Sequence, residues 1–277
     1  MARSTARPSA ARAPQPARAA PAPGRRVRPA PARAAALAPL ALVALGAAFA
    51  GAGIVAPGLA LAAAGGVIGV ANWYLGAPGR LAARLGAIPA DPLRHARLRN
   101  VVEGLCVVLG LPVPALRVLE DASRNAIVLG PSARRAVLVC TTGLLESVDR
   151  MALEGLVAHE LAHVKSGDVA RAAAATISCG VLAAVLPSAG RVVARLAGPA
   201  REALADLDAV RVTRYPPGLI AALEAVSSAG SARPRLSPSL ARLTGALWFS
   251  PLAESFGPRP RPGTLDVDLR LAALREL

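Results

Sequence analysis

The sequence predicts an α+β chain that is mainly helical, with an N-terminal transmembrane helical hairpin followed by a domain that contains a small antiparallel sheet. Three observations lead to this prediction. The 46 residues between Arg33 and Arg80 include no charged side chain. Three short runs of β-forming residues lie between positions 116 and 141. Two of the three histidines of the chain then stand four positions apart, in a segment that carries helix start and stop signals.

Residues 1–33 form a basic arm. This arm contains eight arginines and no acidic residue, and the whole chain has a net charge of +15. Its arginines are separated by Pro and Ala, and it has no aromatic side chain on which a nucleic-acid base could stack. We therefore favour a disordered cytoplasmic tail at the membrane surface, with no nucleic-acid partner, over a nucleic-acid-binding arm.

Residues 34–79 are predicted to be a transmembrane helical hairpin in contact with the lipid bilayer. A turn signal at Ala56-Pro57-Gly58 divides the stretch into segments 35–55 and 59–77, each about long enough to cross the roughly 30 Å of hydrocarbon in a membrane. Arginine-rich flanks place both outer ends in the cytoplasm. The alternative is a buried hairpin rich in Ala and Gly within a soluble protein.

Residues 80–230 are predicted to form the main domain. Segment 81–111 has an apolar helical stripe that Pro89 and Pro92 interrupt. Turn signals separate three predicted strands, and this spacing favours an antiparallel sheet. The strands are Leu116–Glu120, Ala126–Leu129 and Ala136–Thr141.

A helix with metal-binding potential follows the predicted sheet. Ser147 or Asp149 caps its start, and Gly167 ends it after Lys165. His159 and His163 lie on one face, about one turn or roughly 6 Å apart, so both imidazoles can reach one Zn²⁺ ion. Glu160 lies about 100° further round the helix, where it can act as a catalytic base on water. The alternative is an exposed polar turn without a metal.

A third ligand is expected on the helix that Pro199 begins and the Tyr215-Pro216 pair ends. Glu202 and Asp206 lie four residues apart on one face of it. Glu202 would complete a site for one Zn²⁺ per chain with a fourth position left for water, and Asp206 would orient a ligating histidine through its ring N–H. Two ordinary solvated acids are the alternative. Other candidate ligands are Asp168, Asp208 and Glu154.

The intervening apolar segment 169–198 has to leave and return on the same side of a membrane. A single crossing would separate Glu202 from the two histidines, so we predict a helical hairpin that turns near residues 187–190 and is either half-embedded or packed on the first hairpin. Beyond the main domain, residues 231–277 are predicted to be a segment rich in Pro and Arg that ends in a helix over residues 265–277.

Several motifs resemble those of the HtpX-type membrane zinc metallopeptidases, relatives of the CAAX prenyl proteases. The resemblance covers roughly residues 100–230 and implies a zincin-type metalloprotease domain, ligands His159, His163 and Glu202, and an active site on the cytoplasmic side of a bacterial inner membrane. Two family features are missing: a longer membrane segment before the third ligand, and a His-Pro pair before the last helix. The matching motifs are 125–130, Thr141-Thr142-Gly143-Leu144-Leu145, 158–163 with Asp168, and Glu202 with Ala205-Asp206.

The predicted function is a membrane-anchored zinc endopeptidase that acts on protein or peptide substrates, with turnover of damaged membrane proteins as the role that the resemblance implies. A membrane sensor that uses a protease domain for signalling and an inactive zinc-binding scaffold are the alternatives. Strand Ala136–Thr141 is the predicted edge for an extended substrate. Tyr215 and Arg270 are both candidates for an additional oxyanion donor.

Overall fold

The computed structural model describes most of the predicted main domain and parts of its flanks. The predicted tail 1–33, the turn of the predicted hairpin 169–198 and parts of the segment before the last helix lie outside the described residues. These described residues are 43–49, 51–53, 55–178, 201–228, 234–252 and 267–277.

Two helical segments meet near the N-terminus. Residues 43–49 are helical, Gly53 adopts a left-handed φ of 82° in the turn that follows, and helix α1 spans Val55–Arg84. A methyl group on Gly46 would lie 2.5 Å from the Gly58 carbonyl oxygen, so only a glycine lets the two segments approach this closely. The turn therefore lies three residues before the predicted one, and α1 continues beyond residue 79.

A helix that crosses a bilayer has to be both long and apolar. Within the described ranges, no helix is both long enough and apolar enough to span a membrane. The transmembrane hairpin at 34–79 therefore stays a prediction.

The sheet has four strands, and its order differs from the sequence order. Strand β1 is Ile88–Pro89, β2 is Ala115–Leu119, β3 is Ala126–Leu129 and β4 is Val137–Thr141. The spatial order is β1-β2-β4-β3, and the β2–β4 pair is parallel whereas the other two pairs are antiparallel. The prediction of an antiparallel sheet is therefore wrong for one pair, because β4 inserts between β2 and β3.

The strand order also corrects the predicted substrate edge. Strand β4 lies in the interior of the sheet, with β2 on one side and β3 on the other, so no free edge remains for an added strand. The outer edge of β3 carries a short bridge between Ile127 and Trp248, and the Phe249 N–H donates to the Ala126 carbonyl at 2.9 Å. The short strand β1 was not predicted; Pro89 is tolerated there because β1 is an edge strand.

Helix α2 spans Ala96–Leu109, α3 spans Thr142–Ser147 and α4 spans Arg150–Ser166. The predicted ends of α4 are confirmed. The Asp149 side chain accepts from the Ala152 N–H, and Gly167 has a left-handed φ of 74°. Local start and stop signals therefore fix the length of the helix that carries both histidines.

Helix α4 lies at the centre of the domain. Every residue from Gly155 to Val164 is buried, so this helix has no solvent-exposed face over almost three turns. It packs against α2, against α6 (Arg201–Thr213) and against α7 (Pro216–Ser227). Its polar side chains must therefore find partners inside the protein.

Three further helices complete the described structure. Helix α5 spans Asp168–Ser178 and contacts β3, and α8 spans Pro238–Thr244. The predicted C-terminal helix is confirmed as α9, Val267–Arg275, which packs against α6 and α7. This placement brings the end of the chain beside the central helix.

Candidate metal centre

Two imidazole rings converge on the inner face of α4. The Nε2 atoms of His159 and His163 lie 3.2 Å apart, and the ring centroids are separated by 4.8 Å at a right angle. The two residues are 0% and 1% exposed. Two buried ring nitrogens that face each other at this distance leave room for a shared cation and for little else.

Glu202 approaches the same point from the first turn of α6. Its Oε2 lies 3.2 Å from His159 Nε2, and its Oε1 lies 3.7 Å from His163 Nε2. One ligand atom from each of the three residues falls within 4.8 Å of the others. The structure therefore brings together the three side chains that the sequence selected as ligands.

The other candidate ligands lie elsewhere. Asp168 contacts the far ring nitrogen of His163, and Asp208 is half-exposed and paired with Arg211 on the protein surface. Glu154 is likewise outside the cluster formed by the described residues. Of these four acidic residues, Glu202 is the one whose carboxylate lies near both Nε2 atoms.

Each histidine is held from behind by a carboxylate. His159 Nδ1 lies 2.8 Å from Asp206 Oδ1, and His163 Nδ1 lies 2.9 Å from Asp168 Oδ2. A carboxylate at Nδ1 favours the tautomer with a proton on Nδ1, which directs the Nε2 lone pair toward the metal position. The contact of Asp168 was missed from sequence, although its position just after the Gly167 cap was a signal.

Arg270 fixes Asp206 in turn. Its Nε and Nη2 each donate to one Asp206 oxygen at 2.7 Å, and its Nη1 donates to the Phe249 carbonyl at 2.9 Å. Arg270 is 2% exposed and comes from α9, 64 positions after Asp206. Each of the three guanidinium nitrogens donates a hydrogen bond, so Arg270 holds the histidine–carboxylate pair in position. Tyr215, the other candidate oxyanion donor, is 44% exposed.

Glu160 differs from the other carboxylates of the site. It is 1% exposed, and neither carboxylate oxygen makes a hydrogen bond. Burial raises the pKa of Glu160 to about 7, a value near neutrality that suits a group that accepts and returns a proton. A buried carboxyl group that lacks a hydrogen bond is costly for stability, and such groups are typical of functional sites.

Without a metal cation, the pKa values of the two histidines are shifted in opposite directions. Burial lowers the pKa of His159, but Asp206 and Glu202 outweigh this effect and raise it to about 9. Burial and the charge of Arg201 lower the pKa of His163 to about 4. Burial opposes ionisation of Glu202, yet Arg201 and the histidines hold its pKa well below the usual range. A proton on His159 therefore occupies the place that a metal cation would take.

The charge balance and donor set fit Zn²⁺. Four carboxyl groups and two guanidinium groups are each less than a tenth exposed. When all six are ionised, their net charge is −2. Two imidazole nitrogens and one carboxylate oxygen are common zinc ligands. The six residues counted are Glu160, Asp168, Glu202, Asp206, Arg201 and Arg270.

Comparison with known proteins places this site in a family. The model of peptidase family M48 matches residues 92–229, a range that contains the three metal-site residues. A protease HtpX homolog of Tropheryma whipplei is 33% identical over 217 residues, which cover 64% of this chain and 72% of that protein. The chain belongs to peptidase family M48. Its mostly helical α+β fold brings close together the three residues that the sequence motifs predicted as metal ligands.

Other M48 relatives match over shorter parts. A protease HtpX homolog of Dictyoglomus thermophilum is 35% identical over 47% of this chain and 54% of its own length. One from Limosilactobacillus reuteri is 28% identical over 65% of this chain and 72% of its own. The matched region thus spans little more than half of the Dictyoglomus relative. No solved structure matches this chain.

Proposed function

We propose that this M48 protein is a membrane-anchored, zinc-dependent endopeptidase. One observation carries the proposal: His159, His163 and Glu202 converge in a buried site beside the unpartnered carboxylate of Glu160. The inactive scaffold is disfavoured because both the three ligands and the candidate base are present. The uncharged stretch 34–79 supports the membrane anchor, and the basic residues that flank it support a cytoplasmic catalytic domain in a bacterial inner membrane.

The chain's own residues divide the chemistry among them. His159, His163 and Glu202 would hold Zn²⁺, which when bound supplies a Lewis acid for the reaction. Asp206 and Asp168 orient the two imidazoles, and Arg270 keeps Asp206 ionised and in place. Glu160 accepts a proton from water as the water oxygen bonds to the carbonyl carbon, and it delivers this proton to the amine nitrogen when the C–N bond breaks.

The role of the enzyme is proposed from the family. Turnover of damaged membrane proteins fits a protease that is anchored in the bilayer and has its site on the cytoplasmic side. The relatives are named as proteases, and their names specify no substrate. A sensor that uses the same site for signalling is the second candidate, and no observation in the described residues favours it.

The test compares Glu160→Gln and Glu202→Ala with the wild type, all purified in detergent. Zinc content is measured by mass spectrometry, and casein cleavage is assayed on the same samples. We expect about one zinc per chain in the wild type and in Glu160→Gln, loss of zinc in Glu202→Ala, and cleavage by the wild type alone. Cleavage by Glu160→Gln at the wild-type rate would show that Glu160 is not the base.

A further inference from the structure

A second buried cation lies beside the metal centre. Arg201 is the first residue of α6 and immediately precedes Glu202 in the chain. Its side chain is 6% exposed, and its Nε lies 3.1 Å from Glu202 Oε1. This distance is that of an ion pair, but the direction of the N–H bond does not give a hydrogen bond, and Nε and Nη1 are both buried without a hydrogen-bond partner.

The two buried arginines of the site therefore differ in the use of their donors. Arg270 commits all three nitrogens to Asp206 and Phe249, whereas Arg201 keeps two nitrogens uncommitted. A charged donor that is buried without an acceptor is unfavourable for stability, and such groups are typical of sites where a ligand supplies the missing acceptor.

A substrate of the site could supply the hydrogen-bond acceptor that Arg201 lacks. Arg201 Nε lies 3.1 Å from Glu202 Oε1, and Glu202 Oε2 lies 3.2 Å from His159 Nε2, so the guanidinium is next to the ligand cluster. Glu160 has two oxygens without donors, and Arg201 has two nitrogens without acceptors. A peptide group with water beside it offers both what Glu160 requires, a proton donor, and what Arg201 requires, a carbonyl oxygen.

We propose that Arg201 is a further catalytic residue, which donates a hydrogen bond to the carbonyl oxygen of the scissile peptide and stabilises the negative charge that builds on it. This inference rests on the proposed endopeptidase activity. It assigns the oxyanion donor to a residue that the sequence did not indicate. Of the two residues that the sequence did indicate, Tyr215 is 44% exposed, and Arg270 directs Nε and Nη2 to Asp206. A single oxyanion donor contributes about 100- to 1,000-fold to the rate.

The experiment uses Arg201→Ala and Arg201→Lys in the full chain, with Arg211→Ala as the matched control. Arg211 lies on the same helix, is 74% exposed at its side chain and pairs with Asp208 on the surface. For Arg201→Ala we expect wild-type zinc affinity in a chelator competition with the metal-free protein. We also expect a fall of about 100- to 1,000-fold in kcat for casein cleavage, with little change in KM. Arg211→Ala should match the wild type.

Added guanidinium ion at millimolar concentration tests the assignment directly. It should restore part of the lost rate in Arg201→Ala and leave Arg211→Ala unchanged, and Arg201→Lys should retain an intermediate rate because it keeps one cationic donor. The inference is overturned by weakened zinc binding, which would make Arg201 a support for Glu202, by unchanged cleavage, or by a loss that guanidinium does not reverse. Absence of cleavage in the wild type would instead refute the proposed function itself.

Discussion

Substitution of Gly155 by alanine tests the close contact between α4 and α7. Gly155 lies on α4, one turn before His159, and a methyl group on it would meet the backbone nitrogen of Leu219 at 2.5 Å and the Gly218 carbonyl carbon at 2.8 Å. Ordinary contacts begin at 3.4 Å, so the two helices must separate by about 0.9 Å, the difference between 3.4 and 2.5 Å. The contacted atoms are backbone and cannot rotate away.

Two effects of opposite sign determine the result. Alanine favours a helix over glycine by about 1 kcal/mol, whereas overpacking a close-packed interface costs about 1–3 kcal/mol. Because a whole helix must move, we expect the upper end of that cost and a net loss of about 1–2 kcal/mol in the free energy of unfolding. The control Gly104→Ala lies on α2, where nothing is within 4 Å of the new methyl group. We expect it to gain about 1 kcal/mol.

The assay is urea unfolding followed by far-ultraviolet circular dichroism on the wild type and both variants. A difference of about 2–3 kcal/mol between Gly155→Ala and Gly104→Ala is expected, with similar slopes against urea concentration. Equal stability of the two variants would refute the reasoning, because helix propensity alone would then account for both substitutions.

Three further outcomes are expected. Arg270→Met should lower the free energy of unfolding in urea by about 3–5 kcal/mol, because Asp206 is left buried without its cation. The control Arg275→Met removes an exposed pair with Glu224 and should change this free energy by less than about 1 kcal/mol. Equal effects of the two substitutions would contradict the prediction. The zinc affinity of the metal-free protein, measured by chelator competition, should rise by up to about tenfold per pH unit between pH 7 and 9. The reason is that the metal displaces the proton that His159 holds with a pKa of about 9. A zinc affinity that does not change with pH would contradict this prediction. Burial raises the pKa of the Cys106 and Cys140 thiols. In a Cys179→Ser background, a thiol reagent should therefore label these two residues only after unfolding. Rapid labelling of the native protein would contradict their burial in the core.

The parts of the fold that depend on local signals could be predicted from the sequence. Asp149 and Gly167 determine the ends of α4 through contacts within one turn, and the spacing of Glu202 and Asp206 placed both on one helical face. The strand order could not be predicted in this way. The choice of β4 as the neighbour of β2 depends on contacts across the whole sheet, and the error about the substrate edge followed from it.

In the candidate site, too, the residues of a local motif could be predicted, whereas contacts between distant positions could not. His159, Glu160 and His163 form a pattern within five residues, so the sequence alone could indicate them. Arg270 was a candidate only as an oxyanion donor. Its contact with Asp206 joins positions 64 residues apart, and the sequence did not predict it. Arg201 was missed because an arginine at a helix start usually reads as a solvated charge, and its burial depends on the packing around α6.

The ion pair between Arg270 and Asp206 also determines when the site can be completed during synthesis. A chain grows from its N-terminus, so α4 and α6 leave the ribosome before α9 is made. Until Arg270 is made, the carboxylate behind His159 lacks the guanidinium that donates two hydrogen bonds to it. A nascent or truncated chain that ends before α9 therefore holds both histidines but lacks the group that steadies one of them. Ordering of the carboxylate behind His159 therefore depends on α9, and a chain whose synthesis has not yet reached Arg270 would lack this support.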